Sequence, residues 1–318
     1  MHSCFLSCDW GSSSFRLHMV DSTTAAVLAT RSSANGIAWA NNAFQQSANG
    51  QGRMAFFAGI IQEKIQQMQS AGLQVPPAAP VLVSGMASAN IGMVELPYAN
   101  LPFASNGEQL LLHTIPAGAA LNRDIVIISG VRTEDDVMRG EETQLLGCMT
   151  EASGNGLFIF PGTHAKHIRV AEGMAVHFRS FMTGELFQLM ATQSMLAGSI
   201  VPNEEADIPA HAAAFADAVQ KAQSMPLLHS LFTTRTNQLL KAVSKEANYH
   251  YLSGLLIGAE LAGIAKETRA ITICGAISLV QQYKTALALL APGTKVANVD
   301  ATIATIRGQQ VLYKKIYG

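Results

Sequence analysis

Ser3-Cys4-Phe5-Leu6-Ser7-Cys8-Asp9-Trp10-Gly11-Ser12-Ser13-Ser14-Phe15-Arg16-Leu17-His18-Met19-Val20 is the stretch that decides the fold. An apolar run enters a small polar turn, and a second strand-like run leaves it. Strand, tight Gly/Ser turn, strand is the geometry of a β-hairpin whose tip offers N–H groups and hydroxyls to a phosphate. The arrangement returns downstream. Leu157-Phe158-Ile159-Phe160 leads into Pro161-Gly162-Thr163-His164-Ala165-Lys166, and His167-Ile168-Arg169-Val170 follows. Two such tips in one chain suggest two jaws gripping one polyphosphate.

Around the first hairpin, residues 3–8, 15–21 and 24–30 read as three consecutive short strands. Ser32 to Gly52 is polar and reads as loop. Met54, Phe57, Ile60, Ile61, Ile65 and Met68 recur at helical spacing, with Gly72 as the stop. Val81-Leu82-Val83 is a strand, and 84–123 is long, irregular and rich in Gly, Pro and Asn. A loop of that length in a compact enzyme is usually functional. Asp124 to Ser129 is a strand, and Glu141 to Met149 a helix with acids at its start, which suits the helix dipole.

The pattern then restarts, with strands at 157–160, 167–170 and 174–180. Helices are expected at 184–197, 211–223, 235–247 and 252–266. A buried strand, Ile271 to Cys274, precedes Gly275, and helices at 278–290 and 301–316 close the chain. A meander repeated after about 150 residues is an internal repeat. It predicts two α/β domains of similar topology with a cleft between them, divided as 1–139 and 140–318.

The 318 residues are 49% hydrophobic and 14% charged, with a net charge of −1. That composition describes a well-packed globular chain. No Lys/Arg cluster supports binding to nucleic acid or an anionic membrane. The longest apolar stretch, 252–265, contains Ser253 and Glu260 and is too short to cross a bilayer. The N-terminal run ends at Asp9 without a basic region or cleavage site, so it does not read as a signal peptide. Cys4, Cys8, Cys148 and Cys274 lie in apolar contexts without metal spacing. They are expected to be buried and reduced, in a cytoplasmic protein.

Duplicated α/β domains that each open on a phosphate hairpin resemble the actin-like ATPase and sugar-kinase superfamily, whose domains are ribonuclease H-like. Asp9, Gly11 and Ser12 match its first phosphate motif, and Gly162 and Thr163 its second. Gly147 and Gly308 match the small residues of its two crossing interdomain helices. Cys274-Gly275-Ala276 matches its adenosine-side strand end.

Longer segments resemble the 2-dehydro-3-deoxygalactonokinase family. They are Val137 to Gly147 (with Arg139-Gly140-Glu141-Glu142-Thr143-Gln144), Ser84-Gly85-Met86 with Asn90-Ile91-Gly92, 161–166, Met182 to Leu186, and Leu252 to Glu260. The chain departs from the family at Ser12-Ser13-Ser14, where Thr and Asn are expected, and at Ala87-Ser88-Ala89, which lacks a glycine. The resemblance implies a kinase that uses ATP and Mg²⁺ to phosphorylate the 6-hydroxyl of 2-dehydro-3-deoxy-D-galactonate in galactonate breakdown. Another sugar kinase or a nucleotide-dependent regulatory ATPase is the rival. A homodimer is compatible with the sequence.

Phosphoryl transfer needs positioning and charge stabilisation. Asp9 at a strand end could hold Mg²⁺ through water, or cap its own hairpin. Gly11, Ser12, Ser13, Gly162, Thr163 and His164 would bind phosphate oxygens. Lys166 would reach a phosphate or stay solvated. Arg16 could clamp a phosphate or the sugar-acid carboxylate, or form a structural ion pair.

A carboxylate must take the proton of the attacking hydroxyl. Glu141 is preferred over Glu142, and a pure helix-dipole role is open for both. Arg139 would orient that base or bind the substrate carboxylate. Glu185 would bond sugar hydroxyls or serve as a helix N-terminal acid. Ser84, Gly85, Met86 and Asn90 are implied in substrate binding by the resemblance. Gly254 and Gly258 would let a helix approach another backbone or the adenine, and Gly275 and Ala276 would face the adenosine. His164 and His167 lack a third ligand for zinc.

Overall fold

The computed structural model describes residues 3–47, 50–118, 121–149, 155–201, 208–264 and 270–318. β1 (Cys4–Trp10), β2 (Phe15–Asp21) and β3 (Val27–Ser33) form the opening meander, followed by α1 (Ile37–Gln46) and α2 (Arg53–Ser70). β4 (Val81–Gly85), β5 (Ala99–Asn100), β6 (Phe103–Ala104), β7 (Leu112–Ile115), β8 (Ile125–Ile128), β9 (Val131–Arg132), β10 (Val137–Met138) and α3 (Glu141–Met149) come next. The second half runs β11 (Gly156–Phe160), β12 (Ala165–Ala171), β13 (Met174–Phe181), α4 (Thr183–Thr192), α5 (Ile208–Lys221), α6 (Leu227–Lys241) and α7 (Lys245–Glu260). β14 (Ile271–Gly275), α8 (Ile277–Leu290), β15 (Val296–Asp300) and α9 (Ala301–Tyr317) complete it.

The internal repeat is visible in the sheets. One has the order β3-β2-β1-β4-β8-β7, and another β15-β14-β11-β12-β13-β6. The order β3-β2-β1-β4-β8 therefore returns as β13-β12-β11-β14-β15. In the first sheet β1 pairs antiparallel with β2 and parallel with β4, and β4 pairs parallel with β8.

The chain forms two compact units. One is Met1–Gly154 with Val170–Phe178 and Ala301–Gly318; the other is Asn155–Arg169 with Arg179–Asp300. α3 and α9, which the sequence reading grouped with 140–318, thus lie in the first unit. There Gly147 faces Ala304 and Gly308 faces Thr143 across the pair.

Period-2 alternation builds the first core. Leu6, Cys8 and Trp10 pack with Leu17, Val81, Val83 and Ile127 against Ile37, Ala40, Phe57, Ile61 and Ile65. Phe5, one residue out of phase, stacks on Tyr313 of α9 with ring centroids 5.1 Å apart. In the second unit Leu157, Ile159, Ile271 and Ile273 pack against Phe215, Val219, Ile257, Val280 and Leu287.

Some segments differ from the sequence reading. Residues 37–46 form a helix inside the stretch read as loop. Its paired Asn41 and Asn42 are weak helix formers, and burial of Ile37, Ala40 and Asn41 overrides that preference. The expected helices 235–247 and 252–266 are α6 and α7 with shifted ends. Ala242 in the left-handed region ends α6, and the Ser244 side chain caps α7 by accepting the Ala247 N–H. Residues 265 and 266 lie outside the described residues. β15 carries too many polar residues to have announced itself as a strand. All four cysteines are buried, as expected, and none forms a disulfide with a described residue. No described helix is long and apolar enough to cross a membrane.

Candidate active site

In the first unit the hairpin tip is closed by Gly11 N–H donating to Ser14 O at 2.9 Å. α1 backs this turn. The Ile37 and Ala38 N–H groups donate to the Gly11 and Ser12 carbonyls at 2.9 and 3.2 Å. Only glycine fits at 36, because a Cβ there would lie 2.3 Å from the Ser12 oxygen. The turn is therefore rigid on its inner side, while Ser12 and Ser13 stay exposed. The sequence reading missed Gly36, whose Gly36-Ile37 junction was the available signal.

Asp9 pairs in register with Arg16 across the hairpin and with Ser84 on β4. Arg16 Nη1 donates to Asp9 Oδ2 at 3.0 Å, and the Asp9 side chain is 23% exposed. Partial burial raises the Asp9 carboxyl above its usual range, and Arg16 pulls it back. Oδ1 makes no hydrogen bond to a described residue. One strand over, β4 ends at Gly85, whose φ is +88°. A Cβ there would lie 2.7 Å from the Trp10 oxygen. Gly140, with φ +111°, packs on it, so that the start of α3 lies against the C-terminal end of β4. Strand C-terminal ends are where ligands bind in such sheets.

The two glutamates of α3 differ sharply. Glu142 is fully buried. Its carboxylate accepts the Gly140 N–H at 2.7 Å and the Thr143 hydroxyl at 3.1 Å. This back-bond runs from the second residue of α3 to the N–H of the residue before the helix and satisfies that donor. Burial, reinforced by the nearby Glu141 charge, pushes the Glu142 carboxyl up to about 8. Glu141 is partly exposed and accepts the Arg139 N–H at 3.0 Å.

Arg139 itself donates to the Ser88 carbonyl and hydroxyl at 2.7 and 2.6 Å and covers the Tyr98 ring. Ser84 is buried, with its hydroxyl turned to Gln309 at 2.9 Å. Met86 is half-buried and Asn90 exposed. The structure thus brings Asp9, Arg16, Ser84, Gly85 and Gly140 together through adjacent strand ends, with Glu141 next in the chain.

In the second unit Thr163 and His164 are exposed at the tip. α4 approaches so closely that a Cβ at Gly184 would lie 2.4 Å from the Gly162 oxygen. Glu185 N–H donates to Thr163 O at 3.0 Å, and its carboxylate meets His164 Nε2 at 2.5 Å. Lys166 is buried, not solvated, and donates to the His164 carbonyl of its own turn. Gly275 ends β14 against Pro161, and the N-terminus of α8 at Ala276 has no side-chain cap.

Beside this turn is a cavity of about 270 Å³. Pro161 and Gly162 form one side. Thr183, Gly184, Phe187 and Gln188 of α4 and Tyr249, Ser253, Leu256 and Ile257 of α7 add helix faces at i, i+4 spacing. Leu279, Gln282 and Tyr283 of α8 close it. Near it Glu260, almost wholly buried, accepts from His167 Nε2 at 2.8 Å, from the Tyr283 hydroxyl at 2.6 Å and from the Thr183 hydroxyl. Burial and this carboxylate push the Tyr283 hydroxyl well above its usual range.

Sequence reasoning had these cavity residues only as parts of motifs, or not at all. Gly254 and Gly258 face α5 instead of the cavity. A Cβ on them would lie 2.5 Å from the Phe215 oxygen and 2.9 Å from the Val219 backbone. Of the two readings open for them, another backbone or the adenine, the close approach seen is to the backbone of α5.

The profile of 2-keto-3-deoxy-galactonokinases matches residues 9–311. A protein of Rhizobium meliloti (strain 1021) described as a probable 2-dehydro-3-deoxygalactonokinase is 35% identical, over 97% of this chain and 96% of its own length. The 2-dehydro-3-deoxygalactonokinase of Escherichia coli (strain K12) is 35% identical over 72% of this chain and 77% of its own. A crystal structure from Sinorhizobium meliloti, assigned as a 2-dehydro-3-deoxygalactonokinase protein, superposes with a TM-score of 0.80 at 34% identity. It covers 98% of this chain and 99% of that one. The fold is therefore the two-domain actin-like α/β architecture expected from the duplicated hairpins.

Proposed function

The chain belongs to the 2-keto-3-deoxy-galactonokinase family, and from that membership we propose how its residues divide the work. It is a kinase that acts on the sugar acid 2-dehydro-3-deoxygalactonate with ATP, in sugar-acid catabolism. The acceptor is the 6-hydroxyl, and the products are the 6-phosphate and ADP. The first unit takes the sugar acid and the second takes the nucleotide. The observation that supports this division is the cavity that shares Pro161 and Gly162 with the second phosphate turn. The base is assigned to the cavity and its phosphates to the turn beside it. The reaction is assigned to the cytoplasm.

The divalent ion is Mg²⁺. The residues present fit it, since Asp9 offers one free carboxylate oxygen at a strand end, and Mg²⁺ keeps most of its waters and takes phosphate oxygens for the rest. When bound, it neutralises charge on the transferring phosphoryl group. Arg16 holds Asp9 in place by the bond to Oδ2. The hydroxyls and N–H groups of Ser12 and Ser13 and those of Gly162 and Thr163 bind phosphate oxygens, while Gly11, whose N–H is taken by Ser14 O, shapes the first turn instead of donating to phosphate as the sequence suggested.

Glu141 is the general base. It is the accessible carboxylate at the start of α3, and the Arg139 N–H fixes its orientation. As the 6-oxygen bonds to the γ-phosphorus, its proton passes to Glu141 and ADP leaves. Glu142 is enclosed and acts as a positioning group that ties Gly140 to α3.

A coupled ADP-release assay over a panel of sugar acids and neutral sugars tests this reading. ADP release is expected with 2-dehydro-3-deoxy sugar acids. Equal turnover with neutral hexoses would overturn it.

A further inference from the structure

Gln282 is a nearly buried polar group of the cavity with unused hydrogen-bonding capacity, whereas Gln188, the other amide of the lining, is exposed. Gln282 lines the cavity from α8 and is only 9% exposed. Its Oε1 accepts the Ser253 hydroxyl at 2.9 Å, and Ser253, 7% exposed, lines the same cavity from α7. Gln282 Nε2 makes no hydrogen bond to a described residue, and it is not among the fully enclosed unpaired atoms. It is a nearly buried amide donor left open toward the cavity. Such a donor is accessible from the cavity and can exchange its water for a ligand acceptor.

The rest of the lining says what kind of ligand. Leu256, Ile257 and Leu279 are apolar, and the Phe187 and Tyr249 rings meet edge to face at 5.0 Å. Apolar and aromatic walls with one oriented amide suit a flat heterocycle. Ser253 sets the orientation of the amide. By donating to Oε1 it turns Nε2 toward the cavity and leaves the second lone pair of Oε1 available.

We propose that Gln282, oriented by Ser253, reads the nucleobase and selects a 6-amino purine over a 6-oxo purine. Nε2 donates to a ring nitrogen, and Oε1 accepts from the 6-amino group, the pairing a carboxamide makes with adenine. In a 6-oxo purine the carbonyl oxygen would face Oε1, acceptor against acceptor. The proposal rests on the nucleotide reading of the cavity given above.

The test compares kcat/KM for ATP, for inosine triphosphate, whose 6-position is an oxo group, and for purine riboside triphosphate, which only lacks the 6-amine. The wild-type protein is expected to prefer ATP to inosine triphosphate by about 10- to 100-fold, with purine riboside triphosphate between them. Gln282→Met, close in size, should bring the ATP to inosine triphosphate ratio near one. Ser253→Ala should lower it in part. A wild-type protein that uses inosine triphosphate as well as ATP overturns the proposal without any variant. So does a folded Gln282→Met that keeps the preference.

Leu256→Phe, which fills the cavity, separates the two readings. If it raises KM for all three nucleotides while Gln282→Met keeps the wild-type ratio, only the assignment to Gln282 falls. If it leaves KM for ATP unchanged, the cavity is not the nucleotide site, and both readings fall.

Discussion

Glu260 and His167 meet at 2.8 Å, with the Glu260 side chain only 1% exposed. The same carboxylate takes hydrogen bonds from Thr183 and Tyr283, so β12, α4, α7 and α8 are tied at one buried point beside the cavity. Removing the acceptor strands three donors, the buried Tyr283 hydroxyl and the partly buried His167 and Thr183. Glu260→Ala should lose about 3–5 kcal/mol, read from the urea midpoint, and raise KM for ATP as Thr183 and Tyr283 loosen. Glu260→Gln keeps the shape and should lose less. An Ala variant as stable as wild type would show that the network contributes nothing.

Glu142 gives a pH signature. Its folded pKa of about 8 lies above the ordinary 4.5. A raised acid binds more protons folded than unfolded, so its contribution to stability falls as pH rises from about 4.5 to 8, then levels off. The loss is on the order of 2–5 kcal/mol. Glu142→Gln should match wild type near pH 4.5 and exceed it near pH 8, in denaturant titrations at several pH values. Parallel curves for the two proteins would refute the shift.

Glu141→Gln should cut kcat by about 10²–10⁴ with little change in KM for the sugar acid. Glutamine keeps the bond from the Arg139 N–H but takes no proton from the substrate. Loss of the dipole interaction alone would cost about 0.3–1 kcal/mol of stability and leave turnover intact. Full turnover would move the search for the base to Glu185.

Asp9→Asn keeps the hairpin and a bond to Arg16 but removes the charge that meets the metal. Turnover should fall by about 10²–10⁴ at saturating Mg²⁺ and ATP, with circular dichroism unchanged. Near-normal turnover would return Asp9 to a purely structural place in the turn.

The α3–α9 contact is backbone on backbone. A Cβ on Gly147 would lie 1.9 Å from the Ala304 oxygen, and one on Gly308 1.9 Å from the Thr143 oxygen. Gly147→Ala and Gly308→Ala should each cost about 3 kcal/mol or more. Gly162→Ala, with nothing within 4 Å of the added methyl, is the control for the fold.

How much of this was legible in the sequence depends on the range of each interaction. The two hairpins, the helix at 141–149 and the strands at 81–83 and 125–128 follow from local period and turn chemistry, so reading along the chain finds them. The duplication was legible for the same reason, and the motifs between residues 84 and 260 pointed to the family.

Burial was not legible. Glu141 and Glu142 are neighbours of identical type, yet one is partly exposed and the other fully buried, because helix geometry turns successive side chains by about 100°. The helix at 37–46 is held by contacts to a sheet and to the hairpin carbonyls, so its own polar residues conceal it. Gly254 and Gly258 reveal a close approach in sequence, but only the fold shows that the approaching backbone is α5. Ser253, Glu260 and Gln282 come from separate helical turns and acquire their partners only when α7 and α8 pack. Sequence by itself determined the hairpins, the repeat and the family chemistry, which are local. The tertiary structure alone decided which carboxylate is accessible and which amide faces the cavity, because solvent exclusion is a property of the packed chain.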